Sequence, residues 1–268
     1  MMDKTLHLML EAGLAASRIV LEVYEQDFAH VIKPDNSPVT EADTRAEDAI
    51  LALLAHTRLP VLAEESAGMG RIPELGQRFF VVDPLDGTKE FVKRNGEFTV
   101  NIALCEHGRP RLGVVIAPAR GEAYWSGPDG AWAGQIRDGA LVGEHRIHAR
   151  VHGPVHVVGS RSHAHPAMDA LCRHMNVVKD VSVGSSLKFC LLARGDAQLY
   201  PRFGPTSEWD TAAGQAVLQA AGGVVLGLDG APLTCGHKAN RYLNGSFVAA
   251  ANLAIADMAR LEMLRLMA

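Results

Sequence analysis

The stretch that most constrains this chain is Phe79-Phe80-Val81-Val82, an apolar, β-branched run that stops at Asp83-Pro84-Leu85-Asp86-Gly87-Thr88. It reads as a buried strand ending in a polar turn, and the 268-residue chain is long enough to build a substantial core around it. Carboxylates at i and i+3 across a turn containing proline can converge on one point. Gly87 lets the backbone come close to whatever sits there. A hard divalent cation is one natural occupant. A turn held by its own side-chain hydrogen bonds is the other reading, and the rest of the chain decides between them.

Around this stretch the periodicities alternate. Leu6, Leu10, Leu14, Ile19, Val20 and Val23 predict an amphipathic helix over 5–26. After a turn at 33–38, Thr40-Glu41-Ala42-Asp43 fits a capping box and opens a second helix over about 41–57. Pro60-Val61-Leu62-Ala63 is a short strand that ends at Glu64-Glu65-Ser66, a second acidic strand end, followed by a Gly-rich loop. Runs at 98–104, 113–117 and 122–125, split by turn residues, predict an antiparallel meander. Residues 134–154 are the least patterned, and a boundary falls near 150. Beyond it strands (155–160, 177–183, 197–200, 223–226) alternate with helices (166–175, 186–194, 209–221) in α/β fashion, and a strand at 246–251 and a helix from 253 close the chain. Two halves follow, 1–150 with helices and an antiparallel sheet, and 151–268 with an α/β rhythm.

Composition excludes several function classes. A chain with 48% hydrophobic and 21% charged residues is globular, and a net charge of −4 without basic runs gives no field for a nucleic-acid polymer. No apolar run reaches the eighteen or so residues of a membrane span, and Met1-Met2-Asp3-Lys4 lacks the regions of a signal peptide. The cytoplasm is the expected location, with peripheral association at the inner membrane left open, as is the choice between monomer and dimer. Cys105, Cys172, Cys190 and Cys235 form no C-x-x-C and read as reduced thiols. His145, His148, His152 and His156 recur every three or four residues, but Gly153-Pro154 breaks any helix that would align them on zinc.

The strongest chemical constellation is acidic: Glu64 and Glu65, Asp83 and Asp86, and Asp210 at the start of an Ala-rich helix. Alone, Asp210 would complement a helix dipole, worth about 0.3–1 kcal/mol. If strands 61–63 and 79–82 are neighbours, three or four carboxylates meet at one sheet edge, repel one another and hold raised, coupled pKa values. Mg²⁺ removes that repulsion and favours a few carboxylates plus waters and phosphate. Gly87-Thr88, at an apparent helix start, offers backbone N–H groups as a phosphate cradle, and Thr88 adds a hydroxyl. Phosphoryl transfer uses this set, with two metals about 3.5–4 Å apart activating water and stabilising the leaving oxygen.

Asp83-Pro84-Leu85-Asp86-Gly87-Thr88, Glu64-Glu65-Ser66 and Trp209-Asp210-x₃-Gly214 together resemble the lithium-sensitive, magnesium-dependent phosphatases that include inositol monophosphatase and fructose-1,6-bisphosphatase. The stretches 89–104, Gly184-Ser185-Ser186-Leu187-Lys188-Phe189-Cys190 and Tyr200-Pro201-Arg202-Phe203-Gly204-Pro205-Thr206 resemble its bacterial branch of 3′(2′),5′-bisphosphate nucleotidases of sulfate assimilation. The resemblance runs from about residue 5 to 250. It implies a layered α-β-α-β-α sandwich of the sugar-phosphatase type, α+β in class, with the site between the two halves. It also implies two or three Mg²⁺ ions held by Glu64, Asp83, the Leu85 carbonyl, Asp86 and Asp210. Thr88, backed by Asp43 and near Glu64, would orient and help deprotonate the attacking water. That implication recasts Asp43, which the residues alone read as the acid of the capping box.

The implied reaction is hydrolysis of the 3′-phosphate of adenosine 3′,5′-bisphosphate to AMP, with the sulfated parent nucleotide as a further substrate. Its removal would relieve product inhibition in sulfate activation. Leu85, Asp86, Gly87, Thr88 and Asp210 would surround the scissile phosphate, while Gly184, Ser185, Lys188 and Arg202 would meet the rest of the nucleotide. The inositol branch carries an acidic residue after the corresponding tyrosine strand, where this chain has Arg202, and a cation there suits a second phosphate. Ser185 also reads as an ordinary N-cap. Arg161 and His163 follow a strand and would line the nucleotide pocket. Two rivals stay open: a phosphatase of inositol or other sugar phosphates, and a cation- or nucleotide-binding regulator without catalysis.

Overall fold

In a computed structural model, which describes residues 4–27, 29–32, 38–160 and 165–268, the Phe79 run lies in β4 (Arg78–Asp86). This is the second strand of a seven-stranded sheet ordered β3-β4-β5-β6-β7-β8-β9, whose other members are β3 (Val61–Ala63), β5 (Thr99–Glu106), β6 (Arg109–Ala117), β7 (Glu122–Gly127), β8 (Gly130–Arg137) and β9 (Ala140–Ile147). Only β3 runs parallel to its neighbour, β4; the others form the expected meander. Helices α1 (Lys4–Tyr24) and α2 (Glu41–Leu54) cover one face, with a small hairpin of β1 (His30–Ile32) and β2 (Pro38–Thr40) between them in the chain.

The strand is apolar throughout because both its faces are covered. Phe80 and Val82 pack with α1 and α2, while Phe79 and Val81 belong to a second core on the opposite face. That second core contains α6 (Leu187–Ala193) and α7 (Ala212–Ala220), which lie between the first sheet and a five-stranded sheet ordered β11-β10-β12-β16-β14. Its strands are β10 (His156–Ser160), β11 (Lys179–Val183), β12 (Leu199–Arg202), β14 (Val224–Gly227) and β16 (Phe247–Ala250). On its outer face lie α5 (Met168–His174) and α8 (Leu253–Met267), giving the order α-β-α-β-α. Two short helices, α3 (Glu64–Gly68) and α4 (Thr88–Val92), and a two-stranded ladder of β13 (Thr206–Ser207) and β15 (Leu243–Asn244) complete the fold. No helix of the described residues is long and apolar enough to cross a membrane.

Two glycines let the middle layer sit close to its neighbours. A Cβ on Gly113 of β6 would stand 2.3 Å from the Ala213 carbonyl oxygen, and one on Gly214 would stand 2.5 Å from the Phe189 ring. α7 is thereby pressed onto the first sheet and α6 onto α7, which fixes the residues preceding both helices against β4.

Three expectations need correction. The unpatterned stretch 134–154 contains a hairpin of β8 and β9, closed by Asp138 and Gly139 at φ 52° and 74°, a two-residue turn whose signal is Asp-Gly. Most of β9 is exposed, so it lacks the alternation that betrays a strand. Glu64-Glu65-Ser66, expected to lead from the strand end directly into a Gly-rich loop, instead opens a short helix that runs to Gly68. Asp210 lies before α7, whose first residue is Ala212, so it does not serve as a helix-start acid. The four cysteines are free, and Cys105, Cys190 and Cys235 are buried.

Candidate active site and metal centre

β4 does not end at Asp83. Its pairing with β5 continues to Asp86 opposite Thr99, with a bulge between Asp83 and Asp86. Pro84 has no N–H to give the ladder, and the irregularity turns two carboxylates three residues apart to the same place. Parallel pairing of Ala63 with Val82 sets Glu64 beside Asp83. From the other half, Asp210 arrives through the segment before α7. Carboxylate oxygens of Asp83, Asp86 and Asp210 lie within 4.8 Å of one another. Glu64 stands outside this trio, though its charge acts on Asp83.

Three acids this close are electrostatically strained. Burial pushes the Asp83 carboxyl well above the usual carboxylate range, and Glu64, Asp86 and Asp210 push it further. Asp86 is also raised by burial, against the opposing pull of Lys188, Ser186 and Asn101. Asp210 is pushed up to about 6 by burial and by Asp86, despite hydrogen bonds from the Thr206 hydroxyl and from the Ser207 N–H at 3.2 Å. Mutual repulsion among converging oxygen donors is what a divalent cation relieves, so this donor set fits a hard metal ion.

The remaining site residues gather around the trio, lining a cavity of about 590 Å³ that includes Glu64, Leu85, Gly87, Thr88, Gly184, Ser185, Lys188, Arg202 and Trp209. Gly87 has φ 91°, and a Cβ there would meet the Glu97 carbonyl oxygen at 3.0 Å and the Ser185 Cβ at 3.3 Å. Only glycine combines that backbone with that approach. The Thr88 hydroxyl has two acceptors at 3.2 Å, Asp43 Oδ1 and the Leu85 carbonyl. Asp43 lies behind the cavity, buried; its Oδ2 takes both the N–H and the hydroxyl of Thr40 at 2.8 Å, so the capping box is present too.

On the second half, Lys188 is buried, donates to the Ser185 carbonyl at 2.5 Å and lies 5.4 Å from the centroid of the Tyr200 ring. Burial lowers its pKa to about 8, with Asp86 opposing the shift. Arg202 donates to the Gly204 and Pro205 carbonyls at 3.3 and 3.0 Å, which holds the guanidinium at the cavity wall. Ser185 has φ 50° and its hydroxyl accepts from the Leu187 N–H at 3.5 Å; the residue at the N-cap is Ser186. Arg161 and His163 lie outside the described residues.

Sequence reasoning passed over several residues that build this site. Glu47 of α2, buried, accepts from the Glu65 and Ser66 N–H groups at 2.8 Å, and so holds the start of α3 and with it Glu64. Glu97 accepts from the Gly184 N–H at 2.9 Å and joins the two halves. Ser186 and Asn101 both contact Asp86. A faint signal existed for Asn101: it shares strand parity with Cys105, which faces the middle layer.

The inositol monophosphatase family model matches residues 1–262. A 3′(2′),5′-bisphosphate nucleotidase CysQ of Shigella flexneri is 46% identical over 251 residues, spanning 92% of this chain and 98% of the relative. The CysQ of Buchnera aphidicola is 40% identical, over 94% of each chain. Among solved structures, CysQ from Bacteroides thetaiotaomicron superposes with a TM-score of 0.76 at 37% identity, covering 92% of this chain and 96% of that one. An IMPase of Thermotoga maritima, at 21% identity, shares the fold with a TM-score of 0.78 over 99% and 100% of the two chains. A fold of the same five layers, an acidic trio at the seam between its sheets and a family match along nearly the whole length lead to one conclusion: this chain belongs to the inositol monophosphatase family.

Proposed function

We propose that this protein is a magnesium-dependent phosphatase that removes the 3′-phosphate of adenosine 3′,5′-bisphosphate, leaving AMP and inorganic phosphate. The observation that carries the reading is the meeting of the Asp83, Asp86 and Asp210 carboxylates in the same cavity as Arg202. Asp83, Asp86, Asp210, Glu64 and the Leu85 carbonyl would hold the metal. Bound there, Mg²⁺ supplies the concentrated positive charge that a transferring phosphoryl group requires.

The residues divide the remaining work. The Gly87-Thr88 backbone, where the chain makes its left-handed turn, receives the scissile phosphate. The Thr88 hydroxyl, which donates to Asp43 Oδ1 and lines the cavity, would accept a proton of water and aim its oxygen at phosphorus. As the oxygen attacks in line, the water proton passes through Thr88 to Asp43 or directly to Glu64, the P–O3′ bond breaks, and the departing O3′ takes a proton from solvent water to become the 3′-hydroxyl of AMP. Arg202, a planar fork with fixed position, meets the second phosphate. Residues 1–150 thus supply the water-handling groups and most of the metal ligands, while 151–268 add Asp210 to the ligand set and Arg202 to choose the substrate. A nucleotide carrying four negative charges meets a protein of net charge −4, so its binding would need the Asp83, Asp86 and Asp210 carboxylates neutralised by a cation beforehand.

The test is phosphate release from adenosine 3′,5′-bisphosphate, its sulfated parent and inositol monophosphate, with Mg²⁺ and with added Li⁺. Faster turnover of inositol monophosphate than of the bisphosphate would defeat the substrate choice, and a zero rate on all three would favour a silent binding protein.

A further inference from the structure

One oxygen atom joins the two halves of the acidic site. Ser186 Oγ lies 2.8 Å from Asp86 Oδ2, at the end of β4, and 2.8 Å from the main-chain carbonyl of Asp210, before α7. A third contact orients it: Asn101 Nδ2 of β5 donates to the same oxygen at 2.9 Å and reaches Asp86 Oδ2 at 3.3 Å.

We infer that Ser186 is a positioning residue whose hydroxyl, oriented by Asn101, sets the spacing between Asp86 and Asp210 and thereby the affinity of the site for a divalent cation. The inference rests on the reading of Asp86 and Asp210 as metal ligands.

The ordinary role for a serine at this place is helix capping. Ser186 occupies the N-cap position of α6, yet its side chain makes no capping hydrogen bond, so its hydroxyl is given wholly to the site. It is also 1% exposed and out of reach of solvent. Asn101 behaves in the same way. Its Oδ1 is buried with no hydrogen-bond partner among the described residues, a cost of about 1–3 kcal/mol for a polar group. Turning the amide over would point that oxygen at the Asp86 carboxylate, and the repulsion fixes the amide with its N–H₂ toward the site. Asp86 and Asp210 come from different sheets' neighbourhoods, and a carboxylate pair that repels itself drifts apart unless something holds it. The Ser186 hydroxyl, with Asn101 behind it, is a neutral link that tolerates both the empty and the loaded charge state.

The test uses the full chain with Ser186→Ala, Ser186→Thr and Asn101→Leu. Calorimetric titration with Mg²⁺ alone, without nucleotide, gives the metal Kd; phosphate release at saturating nucleotide gives the Mg²⁺ concentration for half-maximal rate. Ser186→Ala is expected to raise both by about tenfold, the size of one charge-assisted hydrogen bond. The melting temperature of the metal-free Ser186→Ala variant falls by about 2–4 °C, as loss of one buried hydrogen bond does, and Ser186→Thr recovers it. The nucleotide KM at saturating Mg²⁺ changes less than about twofold, since the effect is on the metal and not on uniform substrate binding. Ser186→Thr, which keeps the hydroxyl, restores the metal Kd, and Asn101→Leu shifts it in the same direction as Ser186→Ala.

An unmutated chain that binds Mg²⁺ and a Ser186→Ala variant that binds it equally would overturn the inference and leave the active-site reading standing. A weakened Kd that accompanies a larger fall in melting temperature and is not rescued by threonine would overturn it as well, by making the role purely structural. Absence of Mg²⁺ binding by the unmutated chain would overturn both.

Discussion

Asp43 divides its carboxylate between two threonines: Oδ2 accepts the Thr40 N–H and hydroxyl at 2.8 Å, and Oδ1 accepts the Thr88 hydroxyl at 3.2 Å. One oxygen caps α2 and the other reaches the site. The two roles are therefore separable by mutation. Thr40→Ala should lower stability by about 0.5–2 kcal/mol, as a lost cap does, with kcat reduced by less than about tenfold. Thr88→Ala should leave stability within about 1 kcal/mol and cut kcat by about 10²–10⁴, the range for a lost proton-transfer group. Chemical denaturation beside steady-state kinetics on both variants checks the division; equal kinetic losses would refute it.

The acidic trio makes pH dependence specific. The folded pKa of Asp210, about 6, lies above its ordinary 3.8, so in metal-free protein the protonated form is favoured by folding. Its stabilising contribution is complete below about pH 4 and is lost as pH rises through 6. Asp210→Asn removes that loss while its amide oxygen can still accept from Thr206 and Ser207. The variant should melt higher than the unmutated protein at pH 7.5 without metal, and the advantage should shrink below pH 6 and vanish by about pH 4. Mg²⁺ should reverse the order at pH 7.5, raising the melting temperature of the unmutated protein alone.

Asp83 is raised well above the usual carboxylate range by burial, and Glu64, Asp86 and Asp210 all act on it electrostatically. Asp83→Asn is expected to abolish detectable Mg²⁺ binding by calorimetry and lower kcat/KM by at least about 10³, the scale on which loss of a central electrostatic group is felt. Retention of both would remove Asp83 from the ligand set.

Arg202 offers a test of substrate choice independent of chemistry. Replacing it with methionine keeps much of its volume and removes the fork. KM for the 3′,5′-bisphosphate should rise by about 10–100-fold, from loss of a charge-assisted pair worth about 1.5–3 kcal/mol. KM for a 3′-monophosphate nucleotide, which lacks the second phosphate, should change less than about threefold. Equal changes on both substrates would show that Arg202 does not read the second phosphate.

Gly113 tests the packing that brings Asp210 to β4. A Cβ would stand 2.3 Å from the Ala213 carbonyl oxygen, a backbone atom that cannot swing aside. Gly113→Ala should destabilise by about 1–3 kcal/mol and, by lifting α7 from the sheet, weaken Mg²⁺ binding at a residue that touches no ligand. Thermal melting and calorimetry on the one variant read both effects.

Much of the fold was legible because apolar periodicity is local. The helices at α1 and α2, the meander from β5 to β7, and the α/β alternation after β10 all appeared where the residues placed them. The β8 and β9 hairpin did not, because an exposed edge strand has no apolar face to reveal it. In the site, the carboxylates stood out because paired acids at strand ends are unusual. Ser186, Glu47 and Glu97 did not, since a serine at a helix start or a glutamate on a helix or loop is ordinary until its partner is known.

By itself the sequence determined the kinds of chemistry available: which strand is buried, where the backbone must turn at Gly87, and that Asp83, Asp86, Asp210 and Arg202 are on offer. Those are properties of residues and their near neighbours. Tertiary structure decided which of them meet. The parallel pairing of Ala63 with Val82 brought Glu64 to Asp83, the bulge turned Asp86 beside it, and α7 pressed on Gly113 delivered Asp210. Distances between groups from 19 positions apart (Glu64 and Asp83) to 127 apart (Asp83 and Asp210) depend on packing, and side-chain shape in the core sets that packing where no local pattern can.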